Sequence, residues 1–381
     1  MITDDDTVLI VMDQEKVDNV FPDLIAKDTI VSLFNEGKNA EKNLSAQFAN
    51  QLMSLEKTNG LTDAEILQVG NDAAKMVGTS GMIHATLDTA QQARKALALH
   101  TGLTTQRHDG LGVWAETFGG SVKGERVVEG AGYSSDIYGA IFGLRATMPC
   151  GANAGITVAY GDADSDSRNT TAVTTTKSDF WSLGLYATRN VSENMNITVD
   201  ASYTHGSHEI SGYARKLNFD FGRTDTDTSL VAVGVEAQYR YTIGGMQFIP
   251  HAGLRYQHVQ IDDVNTVFET QAESMNIVQV PVGLTIKADH VAKDGWTIAP
   301  QADITVLGNF ADKDTELTLT STGATVSSKY TLDLVDSMVV NTSMGIRARK
   351  GDWSMHMNYQ FGYGHDDRND STIRAGVQYN F

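Results

Sequence analysis

The sequence predicts an all-β membrane protein: a twelve-stranded antiparallel transmembrane β-barrel with an N-terminal α-helical linker threading the pore. Three observations lead there. From Leu111 onward, apolar and polar residues alternate with period 2 in about twelve segments. Most are long enough for a tilted strand to cross a bilayer, which takes about 9–11 residues. The connections between them alternate between short and long, a parity characteristic of outer-membrane barrels and without use in a soluble sandwich. The last of these segments stops, with the chain, at an aromatic residue, Phe381.

That last segment, Thr372 to Phe381, is the clearest. Ile373, Ala375, Val377, Tyr379 and Phe381 share one face, and Thr372, Arg374, Gly376, Gln378 and Asn380 the other, because successive strand side chains point to opposite sides. Alone, it fits a sandwich strand on a soluble core equally well. A barrel in lipid gives the apolar face a use and removes the exposed edge by pairing the last strand with the first.

Composition narrows the class. The 381 residues carry a formal net charge of −18, which argues against nucleic acid as a partner, since phosphates need a basic surface. Mean hydropathy is −0.23, and no run of about 18 apolar residues occurs, so no helix is long and apolar enough to cross a membrane. A barrel passes that test, because only every second residue meets lipid. The single cysteine, Cys150, permits no intrachain disulfide and gives no sign of a thiol metal site. The start, Met1 to Asp6, lacks the basic and apolar regions of a secretory signal. A barrel must cross the inner membrane, so the expectation is a signal further upstream and a longer reading frame.

In chain order, residues up to about Asn59 are mixed, with a strand-like run at Val8 to Met12. Leu61 to Val77 reads as a helix with Thr62 as N-cap and Glu65 completing a capping box. After Thr79-Ser80-Gly81, Met82 to His100 is rich in Ala and Leu, strong helix formers, but carries Asp88, Gln91, Gln92, Arg94 and Lys95. Such a helix spans roughly 30 Å, a membrane thickness. Its polar residues exclude lipid contact and suit a water-filled lumen; the stretch by itself also suits a surface helix of a soluble domain.

The strongest further alternations are Met195 to Thr204, Val278 to Asp289 and Trp353 to Gly364. Weaker ones fall near residues 111–119, 134–148, 152–162, 178–190, 226–243, 246–261, 296–311 and 334–350. Short connections are expected at Pro149-Cys150-Gly151, Asn190 to Asn194, Gly244-Gly245, His290 to Gly295 and Lys350-Gly351-Asp352. Long polar loops are expected at Gly119 to Tyr133, Asp162 to Lys177, His205 to Asp225, Asp262 to Met275 and Asp312 to Asp333. Trp296, Trp353, Tyr379 and Phe381 then fall on the short-turn edge as an aromatic girdle.

A helix of about 20 residues, about twelve amphipathic strands and a terminal aromatic, in that order, resemble the translocator domain of a type V secretion autotransporter over roughly Gly81 to Phe381. Gly112-Val113-Trp114, Tyr138 to Leu144 and Tyr379-Asn380-Phe381 are its recognisable pieces. The resemblance implies a barrel in the Gram-negative outer membrane, a linker helix in its pore, and export of an upstream passenger to the cell surface. It divides the chain into residues 1–60 as a passenger remnant or junction, 61–110 as helical linker with the pore helix at about 81–100, and 111–381 as translocator. It also implies partners: outer-membrane lipid and lipopolysaccharide, the barrel-assembly machinery, which would read Tyr379 and Phe381, and the chain's own passenger. The Asn-Asn pair that some members cleave inside the pore is absent.

His205, His208, Asp262 and Asp263 have the residue types of an omptin-like barrel protease, but no spacing joins them. Asp162, Asp164 and Asp166 lack the Gly and bidentate Glu of an EF-hand loop; a solvated acidic loop accounts for them. The reading is a secretion pore with no catalytic residue, cofactor or metal. Its pore helix contributes Asp88, Gln91, Arg94 and Lys95, and its lumen Arg145, Asp200, Glu236, Arg240, Arg255, Gln279, Lys287, Asp303, Arg347 and Arg349. A structural or adhesive barrel without passenger is the competing class, and a soluble β-sandwich the third.

Overall fold

The computed structural model describes residues 2–4, 7–9, 23–35, 44–58, 62–103, 110–128, 130–321, 324–364 and 368–381. Twelve strands each pair antiparallel with their sequence neighbours, and the last pairs with the first, closing a ring. They are β1 (Leu111–Val128), β2 (Ala131–Thr147), β3 (Asn153–Arg168), β4 (Ala172–Asn190), β5 (Met195–Ala214), β6 (Phe219–Tyr239), β7 (Met246–Ile261), β8 (Met275–Ala288), β9 (Thr297–Ala311), β10 (Met338–Lys350), β11 (Trp353–Gly364) and β12 (Asn369–Asn380). At the seam, Gly376 of β12 lies opposite Glu116 of β1, and Gln378 opposite Trp114. The Phe381 N–H donates to the Leu111 carbonyl at 2.8 Å, so the pairing runs to the chain's last residue.

Burial follows the alternation. On β11, Trp353, Met355, Met357, Tyr359, Phe361 and Tyr363 are exposed while His356, Asn358 and Gln360 are buried. The sheet is thus apolar outside and largely polar inside, which inverts a soluble core and fits lipid around a solvated lumen. Aromatic residues bound the outer apolar belt at both edges: Tyr160, Trp181 and Tyr256 toward the long-hairpin side, Tyr239, Tyr241 and Trp353 toward the short turns.

Three of the five expected long loops are strand instead. β1 and β2 continue to a tight turn at Gly130, β3 and β4 to Asn169–Thr171, and β5 and β6 to residues 215–218. The hydrophobic alternation that marks a strand in lipid ends where the outer face enters water. Backbone pairing has no reason to end there, and rows of Thr, Ser and Asp carry it on (Thr176 opposite Ile210, Asp166 opposite Thr175). The other two expected loops do leave the barrel. They pair with each other as a four-stranded sheet of Val264–Asn265, Glu269–Ala272, Asp314–Thr320 and Ser328–Asp333.

The N-terminal part contains helices α1 (Lys27–Asn35), α2 (Leu44–Thr58), α3 (Asp63–Ala74), the single turn α4 (Met76–Thr79) and α5 (Met82–Thr101). The Thr62–Glu65 capping box forms as its residues require, but the helix expected over Leu61–Val77 breaks at Lys75. The run at Val8–Met12 is described only as Thr7–Leu9, paired with Ile2–Asp4; residues 10–12 lie outside the described residues. Helices α1–α3 form a cap on the long-hairpin side. Ile30, Phe48, Leu52, Ile66 and Val69 pack on Phe219, Phe221, Phe268 and Leu319 from the hairpins and the outer sheet. Polar contacts fix the pose: Thr29 Oγ1 donates to the Leu319 carbonyl at 3.0 Å, and Asp72 accepts from Thr171 N–H at 2.6 Å.

Candidate functional site: the helix-filled lumen

Helix α5 begins at Gly81, whose φ of 76° is a left-handed conformation natural to glycine. A Cβ there would also stand 3.0 Å from Ser165 Cβ and 3.1 Å from the Tyr133 ring. This close fit turns the chain from the cap into the barrel. The helix runs from the long-hairpin mouth to the short-turn mouth, where Leu103 N–H donates to Gln238 at 2.8 Å.

Two kinds of contact hold it. On one side Ile83, Ala85, Ala90 and Ala96 meet Phe118, Ile141, Phe180, Leu230 and Ala232. Alanines at this face let the helix axis approach the wall closely. The other contacts are mostly polar and come chiefly from β6, β10 and β12. Arg368 pairs with Asp88, Arg374 with the Gln92 side chain, Arg94 with Glu236 at 3.3 Å, and Lys95 donates to Asn341 at 3.3 Å. Arg347 donates to the Leu99 carbonyl at 2.6 Å, placing a cation on one of the carbonyls that the last helical turn leaves without an intrahelical partner.

Below Gln92 the helix meets a dense buried cluster. Glu116 of β1 pairs with Arg374 at 3.2 Å and lies 3.0 Å from His356 Nε2 and 3.4 Å from His100 Nε2. His100 stacks on Trp114 with ring centroids 4.1 Å apart. A charge buried this way is tolerated only when paired and hydrogen-bonded. Along β7–β10 the filling is incomplete. A cavity of about 130 Å³ is lined there by Arg94, Lys95, His251, Asp303 and Asn341, and one of about 240 Å³ by His100, Arg145, Lys287 and Asp289 at the short-turn mouth.

The charged residues read from the sequence fall in several groups. Asp88, Arg94 and Lys95 make the contacts above, and Gln91 lines a cavity with Asp88, Gln257 and Asn309. Asp200 pairs with Arg255 and Asp303 with His251 at 2.9 Å; Gln279 donates to Asn309 at 2.9 Å. Lys287 and Arg349 share Asp289, at 3.4 and 3.8 Å, and Arg145 donates to Asn380 at 2.6 Å. Arg240 sits between strands and donates to the Glu193 carbonyl at 2.9 Å, at the short-turn rim. Tyr379 and Phe381 face outward, their rings 4.9 Å apart, and Tyr379 packs on Trp353. The omptin-like quartet does not assemble. His208 is buried against Ser178 and Thr228, whereas His205 faces the other side of the sheet beside Asp227.

Glu116 and Arg368 are absent from the sequence reading, Gln92 and Arg374 enter it only as polar positions of their elements and His100 only as the end of its helix, yet all five make close contacts at the helix. For Glu116 and Arg374 a signal existed: each is a charge at an inward position of its strand. Gln92 and His100 carry no such mark on a helix that is polar on several faces.

A closed twelve-stranded barrel with an apolar belt outside and a helix held by ion pairs inside belongs to the outer-membrane barrels that carry a peptide segment in their pore. Residues 113–360 match the family model described as autotransporter beta-domain, and the chain belongs to that family. It is accordingly a translocator domain of the Gram-negative outer membrane, in a family whose activity is export of an attached passenger. Among solved structures, the chain resembles the translocator domain of NalP from Neisseria meningitidis at 17% identity and a TM-score of 0.56, over 79% of this chain and 98% of that one. The transport unit of AIDA-I from Escherichia coli matches at 15% and 0.57, over 79% and 98%. The beta domain of Bordetella BrkA matches at 16% and 0.54, over 72% and 100%. At these identities the likeness concerns the fold. No curated protein matches the chain.

Proposed function

We propose that α5 is the trailing end of the exported segment, retained in the lumen once export is complete, and that residues 1–60 are the junction to a passenger on the cell surface. The observation that carries this reading is the set of polar contacts that β6, β10 and β12 make to one helix from separate sides of the lumen. A helix on the outside of a domain would bury one face only. The pairs at Asp88 and Glu236 are largely shielded from solvent. An unpaired buried charge is costly, while a complete pair adds little over an apolar substitute. The helix therefore rests only where all its charges meet partners, compatible with a segment that first slides and then stops. The barrel does no bond chemistry; its charged lumen residues seat the helix. Lipopolysaccharide surrounds the outer belt, and the assembly machinery reads Tyr379 and Phe381.

Deleting residues 81–100 is expected to leave a folded barrel with a raised single-channel conductance in planar bilayers. Equal conductance with and without them would refute the seated-helix reading and favour a barrel with no exported passenger.

A further inference from the structure

We propose that His100, Glu116 and His356 form a binding site for a borderline divalent transition ion, with Zn²⁺ the natural probe. The three donor atoms, two imidazole Nε2 and one carboxylate oxygen, all lie within 4.8 Å of one another. With zinc bonds of about 2.0–2.1 Å, a tetrahedral site has edges of about 3.3 Å. The two nitrogen–oxygen edges here measure 3.4 and 3.0 Å.

The surrounding groups already orient the donors. His100 Nδ1 is 3.2 Å from the Gln378 side-chain oxygen, which only accepts, so the imidazole proton sits on Nδ1. That leaves Nε2 as a lone pair aimed at a carboxylate, and it is a buried nitrogen without a hydrogen-bond partner. Two lone pairs facing each other at 3.4 Å among buried side chains repel; a cation between them turns the repulsion into two bonds. Arg374 holds the other Glu116 oxygen at 3.2 Å and so presents Oε2 to the two histidines. The Trp114 ring fixes the His100 plane. A ligand imidazole with its second nitrogen hydrogen-bonded is the usual support of a metal site.

The donor set selects the ion. Two nitrogens and one oxygen suit Zn²⁺ and its transition-metal neighbours, and suit Ca²⁺ and Mg²⁺ poorly, since these take oxygen ligands. The guanidinium of Arg374 opposes a second cation, so the site is expected to exchange its ion. His100 also lines the cavity at the short-turn mouth, which gives the ion a route in. Bound, the ion would tie the last turn of α5 to β1 and to β11, on both sides of the closing strand β12.

The test uses the full chain in detergent, purified without a polyhistidine tag and stripped with chelator. Titration with Co²⁺ is expected to saturate at one ion per chain with the intense visible spectrum of a tetrahedral site. Zn²⁺ should displace it, and either ion should raise the unfolding temperature. His100→Gln combined with His356→Gln should lose both the spectrum and the shift while the barrel keeps its heat-modifiable migration. A weak octahedral spectrum, or a tetrahedral one that survives in the double variant, would overturn the proposal. The native titration decides even if that variant does not fold: no tetrahedral spectrum at one equivalent means that the cluster is a hydrogen-bond network only.

Discussion

Trp114 lies over Gly143, its cross-strand neighbour on β2, so closely that a Cβ on that glycine would fall 2.0 Å from the indole. Stacked between Gly143 and His100, the ring joins the first strand pair to the last turn of α5.

Gly143→Ala must therefore push the indole away and break the stack. Overpacking of this kind costs about 1–3 kcal/mol. The unfolding midpoint in detergent should fall by a matching amount, with a change in tryptophan fluorescence. An unchanged midpoint would mean that Trp114 has somewhere else to go.

At the opposite end of the helix, Asp88 is buried with the Arg368 guanidinium against it. Asp88→Ala takes away the carboxylate in contact with that cation and leaves it the Tyr133 hydroxyl and the more distant charge of Asp370. Removing one partner of a buried pair costs about 3–5 kcal/mol, whereas the intact pair adds little over an apolar substitute. Thermal unfolding should show the loss for Asp88→Ala and recover much of it when Arg368→Met is added. Additive losses in the double variant would contradict the pairing.

The terminal aromatic separates recognition from stability. Phe381 is 68% exposed at the edge of the belt, where an acidic residue costs only about 0–1 kcal/mol. Phe381→Asp should thus unfold from detergent much as the native protein does. If the terminus is read during assembly, the same variant should fail to reach the outer membrane in cells. Normal surface assembly of the variant would leave Phe381 with no role beyond lining the belt.

A pH dependence is expected in the cap. The Thr62 N–H and hydroxyl, then Lys216, hold the Glu65 carboxyl below its ordinary value. A depressed carboxylate stabilises the fold above its unfolded pKa and loses that contribution as pH falls through the folded one. Native protein and Glu65→Gln should differ in melting at neutral pH, and the gap should close on acidification below the carboxylate range. A gap that persists there would assign the effect to something other than charge.

Much of this architecture is legible because lipid imposes period 2 on the sequence: the inside–outside assignment of β11 and β12 follows from alternation alone. The upper parts of β1 to β6 read as loops because their outer faces are wetted by residues such as Lys123, Asp164, Asp166 and Ser207, which removes the apolar half of the pattern but not the ladder. The cap was illegible for another reason. Thr29 meets Ser328 across 299 residues of sequence, and no local pattern reports a partner so distant. The same holds for His356 and Glu116, which are 240 apart.

That separation sets an order of events. Closing a chain loop of such length is entropically costly and slow relative to pairing neighbouring strands. The cap's aromatic core, Phe48 against Phe219, Phe221 and Phe268, needs the hairpins built first and the N-terminal helices delivered to the same side of the membrane. The cap is therefore expected to complete after the hairpins on which it packs. Hydrogen exchange that protects Phe48 later than the barrel strands would record that sequence in time.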